Sequence, residues 1–222
     1  MPKALIIGAG DGLSASLARL LAREGYAIAL AARNPAKLDA LVSETEATAH
    51  ACDAASEADI ARLFDAEGDA AVVIYNPSFR TRGPITGLDP AEVQKSLQVC
   101  AFGAFLAAQQ AARRMLPRGA GTILLTGASA GVKGYPQSAP FAMGKFALRG
   151  LAQSLARELH PQGVHVAHVI IDGGIRSARR PDAGEDTLLD PDAIARTYLD
   201  LIRQPRSCWS WEIEVRPWAE RF

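Results

Sequence analysis

The sequence contains little cysteine and no excess of charge of either sign. Only three of its 222 residues are cysteines, Cys52, Cys100 and Cys208, and no two form a C-x-x-C pair. This excludes a disulfide framework and gives no zinc-type spacing. The 24 basic side chains equal the 24 acidic ones in number. Proteins that bind nucleic acid or anionic membranes usually carry a basic excess or stripe, so this balance argues against both kinds of partner.

Long apolar runs are also missing. No stretch approaches the roughly 18 consecutive apolar residues that a membrane span needs. The first eight residues are mostly apolar, but Asp11 follows closely and the segment lacks a full signal-peptide core. Hydrophobic residues still make up 49% of the chain, which is enough to bury a substantial core. We therefore expect a soluble, cytoplasmic protein without a membrane partner.

Short aliphatic runs alternate with longer helical patterns along the chain. Continuous apolar runs of this kind are typical of strands that are covered by helices on both faces. The predicted strands are 5–7, 27–30, 72–75, 123–125 and 164–171, with a last strand at 211–215. The predicted helices include 13–24, 91–116, 138–160 and 191–203. Prolines 90, 117 and 161 mark the ends of the long helices.

This βαβ rhythm with short connections predicts a doubly wound parallel sheet in the α/β class. At roughly 150 residues per domain, the length fits one domain over residues 1–222. The segment 179–192 is rich in Pro, Gly and Asp, so it is predicted to form a surface loop before the last helix.

A glycine-rich turn follows the first predicted strand and opens the first helix. Gly8, Gly10 and Gly12 permit a tight turn and allow the backbone amides that lead into Leu13 to approach a pyrophosphate. Such a turn also occurs for steric reasons alone, but its place in a βαβ unit favours a dinucleotide site. Ser14 stands where a third glycine is usual.

The end of the second predicted strand bears on the choice between NADP and NAD. An acidic side chain there would bind the ribose hydroxyls of NAD, but the sequence has Ala31-Ala32-Arg33-Asn34. Arg33 is suited to a 2′-phosphate, which favours NADP. Asp11 opposes any phosphate nearby, so NAD stays open as the cofactor.

The pattern resembles the short-chain dehydrogenase/reductase family over nearly the whole chain. The matching segments, in order along the chain, are the Gly8 turn, Cys52-Asp53, Tyr75-Asn76-Pro77-Ser78, Phe141-Ala142-Met143-Gly144-Lys145 and Asp172-Gly173-Gly174-Ile175-Arg176-Ser177. The resemblance implies a Rossmann-type sheet of about seven strands, a nicotinamide cofactor across the carboxyl ends of the strands, and a small-molecule substrate. It also implies a homodimer or homotetramer formed through the two long helices.

The resemblance assigns further residues to the cofactor. Asp53 would lie near the adenine, Asn76 near the cofactor ribose, and Gly173 and Ile175 beside the nicotinamide. Lys145 would bind the nicotinamide ribose. The segment 177–191 would form a short lid, whose charges include Arg179, Arg180, Asp182, Glu185 and Asp186.

The sequence departs from the family at the catalytic positions. In the family, an Asn, a Ser and a Tyr-x-x-x-Lys pair form the active site, whereas here Phe141 replaces the tyrosine. The serine position aligns with Ala128, with Ser129 one residue further on, and the asparagine position aligns with Cys100. Of the four, Lys145 alone is kept. Phe141, Lys145 and Ser129 are therefore the candidate catalytic positions.

Two functions remain compatible with these departures. The first is an NADP(H)-dependent oxidoreductase that acts on a small carbonyl or quinone-like substrate, with a proton supplied by Ser129, by Tyr135 or by a water held by Lys145. The second is a catalytically weak NADP(H)-binding sensor or partner protein. Loss of a general acid typically costs about 10²–10⁴-fold in rate, so both readings fit the loss of the tyrosine.

Overall fold

Seven parallel strands form one sheet in the order β3-β2-β1-β4-β5-β6-β7. The computed structural model describes residues 1–177, 180–182 and 186–219. The strands are β1 Lys3–Ile7, β2 Ala27–Ala32, β3 Thr48–Ala51, β4 Val72–Tyr75, β5 Gly121–Thr126, β6 Val164–Ile171 and β7 Glu212–Val215. The doubly wound parallel sheet of seven strands is confirmed.

Helices cover both faces of the sheet. They are α1 Leu13–Arg23, α2 Asp39–Thr45, α3 Glu57–Glu67, α4 Pro90–Leu97, α5 Gly103–Met115, α6 Ala139–Leu159 and α7 Pro191–Arg203. One core cluster joins the sheet to α3, α5 and α6, and a second joins it to α1, α2 and α7. The strands are continuous apolar runs because each strand between these layers buries both of its faces.

Two elements differ from the sequence prediction. The single helix predicted over 91–116 is divided into α4 and α5 by a π-helical turn, Gln98–Phe102, which contains Cys100. Strand β3 lies at the sheet edge and is largely exposed, so it has no apolar run to reveal it. Among the described residues, no helix is both long and apolar enough to cross a membrane.

The predicted surface loop, 179–192, and the overlapping lid, 177–191, fall partly outside the described residues. Residues 178–179 and 183–185, which include Arg179 and Glu185, are not among them. Within the described part, Ile175 forms an isolated bridge with Leu189, which connects the segment after β6 to the chain just before α7.

The strand order reverses its direction of growth between β1 and β4. In open α/β sheets, ligands bind outside the carboxyl ends of the strands at such a switch point. The Gly8 turn follows β1 and Asn76 follows β4. The fold therefore places these two predicted site segments on either side of the expected ligand crevice.

Candidate nicotinamide and substrate site

The glycine turn leaves open space in front of its backbone. Gly8 has φ +81°, and a Cβ there would lie 2.6 Å from the Pro77 backbone nitrogen, so only glycine fits without rearrangement. At Gly10 and Gly12 a Cβ would meet nothing within 4 Å. Helix α1 begins at Leu13 with no side-chain cap, so its first amides are available to a ligand.

Ser14, the departure from the glycine pattern, ties the turn to the neighbouring strand. Its hydroxyl donates to the Gly8 carbonyl oxygen at 3.1 Å and accepts from the Asn76 side-chain amide at 2.7 Å. Asn76 therefore supports the turn from the end of β4. No local sequence pattern predicts this bond, because it joins residues that are 62 positions apart.

Arg33 follows β2 directly and is exposed. Within the described part of the chain, its guanidinium makes no hydrogen bond or ion pair. Asp11 is exposed as well, in the glycine turn. Asp53 accepts a hydrogen bond from the Ala55 amide at 3.0 Å and is exposed after β3.

Lys145 is buried to 2% exposure on α6, and its ammonium donates to the Thr126 carbonyl oxygen at 2.8 Å. No carboxylate among the described residues pairs with it. Burial is the main reason that the pKa of Lys145 is lowered, and Arg80 lowers it further. An ammonium has three protons to donate, so a buried one with a single acceptor retains capacity for a ligand hydroxyl.

The three positions that lack the family's polar groups pack together. Cys100, Ala130 and Phe141 form a small buried cluster, and Ala128 packs against it. Phe141 is 4% exposed and Cys100 is fully buried. Residues far apart in sequence therefore meet where the alignment places a tyrosine, a serine and an asparagine, but they offer no hydroxyl and no amide.

Arg80 was missed by the sequence reasoning and lies directly over this cluster. Its guanidinium carbon is 4.3 Å from the centroid of the Phe141 ring, and the Lys145 ammonium is 5.7 Å from the same centroid. Arg80 lies in the irregular segment after β4, where no motif marks an arginine as functional. Its contact with Phe141 becomes visible only in the folded structure, because the two residues are distant in sequence.

Cys100 and Ser96 fix the backbone next to Arg80. The Phe79 amide and carbonyl groups both contact the Cys100 sulfur at 3.5 Å. The Ser96 hydroxyl lies 3.2 Å from the same carbonyl oxygen. Cys100, at the asparagine position of the family, therefore helps to hold this segment.

The segment after β6 closes the other side of the crevice. Asp172 is 2% exposed and forms ion pairs with Lys133 at 3.2 Å and with Arg216 at 2.9 Å. Gly173 has φ +148°, and a Cβ there would lie 2.7 Å from Pro217, so this predicted nicotinamide contact also requires glycine.

Ser129 and Tyr135 lie in the loop after β5. Ser129 starts a 3-10 turn, and within the described residues its hydroxyl forms no hydrogen bond. Ala128, rather than Ser129, packs against the Phe141 cluster. Tyr135 is 42% exposed with Lys133 5.9 Å from its ring centroid, so it is not a core packing residue.

These features fit a nicotinamide dinucleotide. The space in front of Gly10 and Gly12 is a cradle that a Cβ would fill, and the uncapped start of α1 suits a pyrophosphate. The buried Lys145 ammonium has donors to spare for a ribose hydroxyl. The exposed Arg33 follows β2, and the Gly173–Ile175 segment follows β6, both at the carboxyl ends of the strands.

Known proteins match this chain over nearly its full length. The family model described as short chain dehydrogenase matches residues 2–187. Sorbitol-6-phosphate 2-dehydrogenase of Escherichia coli (strain K12) is 27% identical over 221 residues, which cover 92% of this chain and 85% of that protein.

Solved structures agree with this match. A short-chain dehydrogenase from Rhodopseudomonas palustris is 35% identical, with a TM-score of 0.86 over 98% of this chain and 99% of that one. A metagenomic short-chain oxidoreductase in complex with NADP is 28% identical, with a TM-score of 0.85 over 97% of both chains.

Proposed function

Because this chain belongs to the short chain dehydrogenase family, we propose that it catalyses NADP(H)-dependent hydride transfer to a small carbonyl or quinone-like substrate. The observation that carries the proposal is the retention of the cofactor-side groups. The open Gly8–Leu13 turn, the buried Lys145 and Arg33, which has no ion pair within the described residues, together suit a dinucleotide. The relative that binds NADP supports the same cofactor.

The chemistry needs a hydride and a proton. Reduced nicotinamide, when bound, supplies the hydride to the carbonyl carbon. The carbonyl oxygen then takes the electron pair of the C=O bond and must gain a proton to form the alcohol. Phe141 has no proton to give, so we assign this proton to water. The buried Lys145 ammonium stabilises the negative charge that develops on the oxygen before the water proton arrives.

A second function, binding of NADP(H) as a sensor or partner protein, is favoured by one observation. Cys100, Ala128 and Phe141 form a continuous apolar cluster where the family has its polar catalytic groups. Such a cluster contributes packing and no acid–base chemistry. A protein that binds the cofactor without turnover does not need the polar catalytic groups, so their replacement by apolar residues would not impair its function.

Turnover assays separate the two functions. We expect purified protein with NADPH to reduce at least one member of a panel of aldehydes, ketones and quinones, measured by loss of NADPH absorbance. Heat-inactivated protein serves as the control. NADPH binding without reduction of any panel member would contradict the oxidoreductase and support the sensor.

We further propose that the chain forms a homodimer or homotetramer. Phe102 and Phe105 are stacked with ring centroids 6.0 Å apart and remain 48% and 41% exposed. Met143 and Phe146 on the adjacent helix α6 are 48% and 45% exposed. A second copy of this apolar surface would cover these side chains, in line with the expected pairing of the long helices.

A further inference from the structure

The Phe141 ring has two cations as neighbours and no carboxylate among the described residues. Arg80 lies 4.3 Å and Lys145 5.7 Å from its centroid. On the opposite side of the crevice, Arg180 packs so closely on Gly174 that a Cβ there would overlap its guanidinium. Gly174 directly follows Gly173, the predicted nicotinamide contact.

The buried carboxylate beside Gly173 is already paired with two cations. Asp172 is the buried carboxylate nearest in sequence to Gly173, and it pairs with both Lys133 and Arg216. Within the described part of the chain, neither Arg80 nor Arg180 forms an ion pair. The Arg80 guanidinium over the Phe141 ring therefore has no carboxylate partner within the described residues.

The backbone on both sides of Arg80 is held in place, and its exposed side chain rests on the Phe141 ring. Ser96 and Cys100 fix the Phe79 backbone immediately before it, and the Gly83 amide bonds to the Gln137 carbonyl oxygen at 3.1 Å after it. The Phe141 ring supports the guanidinium plane. Partial burial, together with Arg82 and Arg180, lowers the pKa of Arg80, as expected where cations gather without an anion.

We propose that Arg80, supported by Phe141, binds a carboxylate or phosphate group of the substrate and makes the protein selective for anionic substrates. A guanidinium presents a planar fork that matches both anions, and a preorganised one loses little entropy on binding. Arg180 approaches the same anion from the lid side. This inference rests on the proposed function, since it concerns the substrate of that same reaction.

The exchange of three polar family residues then has a common explanation. Phe141 provides the ring on which the guanidinium rests, and Cys100 holds the backbone that presents it. Ala128 completes the apolar floor. In the family, hydroxyl and amide groups at these positions bind a neutral carbonyl. Here, apolar residues at the same positions support Arg80, which would bind an anion.

Pairs of substrates with and without the charge test this proposal. Pyruvate and butane-2,3-dione differ only in a carboxylate replaced by acetyl, and dihydroxyacetone phosphate and dihydroxyacetone provide the phosphate arm. We expect kcat/KM with NADPH to favour the anionic member of at least one pair by about tenfold or more. Comparison of the pyruvate pair with the dihydroxyacetone pair shows whether the site prefers a carboxylate or a phosphate.

The variant Arg80→Gln should lower that preference by about tenfold or more, mainly through KM for the anionic member. The neutral member should change far less. Arg196→Gln changes an exposed arginine on α7 and is the matched control. It should leave the ratio of kcat/KM for the anionic and neutral members of each pair as in the unmodified protein. A preference that persists in Arg80→Gln, or an equal loss with both members, would overturn the proposal.

A binding measurement separates failure of this inference from failure of the proposed function. If no carbonyl is reduced, the oxidoreductase proposal is wrong, and saturation-transfer NMR of pyruvate, dihydroxyacetone phosphate and their neutral partners on NADP⁺-loaded protein still tests Arg80. Signals from an anionic probe that vanish in Arg80→Gln support the anion site. Equal signals from the two proteins, or none from either, contradict it.

Discussion

The double substitution Phe141→Tyr with Ala128→Ser is expected to raise kcat/KM for reduction of a neutral carbonyl about 10²–10³-fold. It restores a phenol beside Lys145, whose ammonium is 5.7 Å from the ring centroid and would make that phenol more acidic. A positioned general acid contributes about 10²–10⁴-fold. The serine adds a hydrogen bond to the developing oxyanion.

The single variants serve as the controls for this gain. Phe141→Tyr alone should give most of it, because it restores the proton donor. Ala128→Ser alone should give little, because no acid is present. Steady-state kinetics at saturating NADPH, with the melting temperature recorded for each variant, measures the effect. A stable double variant with unchanged activity would contradict the correspondence between Phe141 and the family's tyrosine.

The variant Lys145→Met is expected to weaken NADPH binding about 10- to 100-fold while leaving the free energy of unfolding unchanged or raised. The lysine is 2% exposed and has one backbone acceptor, so the fold gains little from its charge. Methionine fills a similar volume without that desolvation cost. A charged hydrogen bond to a ribose hydroxyl is worth about 1.5–3 kcal/mol, which sets the loss of affinity.

Lys37→Met, at an exposed position near α2, is the matched control for Lys145→Met. It should change neither the NADPH affinity nor the free energy of unfolding. Calorimetric titration gives the affinity, and urea unfolding gives the stability. A variant that loses stability but keeps NADPH affinity would show that Lys145 serves the core rather than the cofactor.

The sequence was sufficient for features that depend on local pattern. Buried parallel strands such as Val164–Ile171 appear as continuous apolar runs, and helix Pro191–Arg203 begins and ends where its signals place it. The glycine turn could also be predicted, because its glycines form a short local motif. Strand β3 was harder to find, because an exposed edge strand has no apolar run.

Features that depend on long-range contacts could not be predicted from the sequence. Arg80 and Phe141 are 61 positions apart (141 − 80), and nothing local indicates that they touch. The bond between Asn76 and Ser14 is of the same kind. The sequence identified which polar groups were missing from the catalytic positions, but only the fold revealed what occupies their place.

The most direct test of the account is the titration of NADPH and NADH into the unmodified protein and into Arg33→Ala. The account predicts that NADPH binds more tightly than NADH by about tenfold or more, because Arg33 pairs with the 2′-phosphate. Arg33→Ala should remove that preference by weakening NADPH alone. Failure of both cofactors to bind at millimolar concentration would contradict the assignment of this crevice to a nicotinamide dinucleotide.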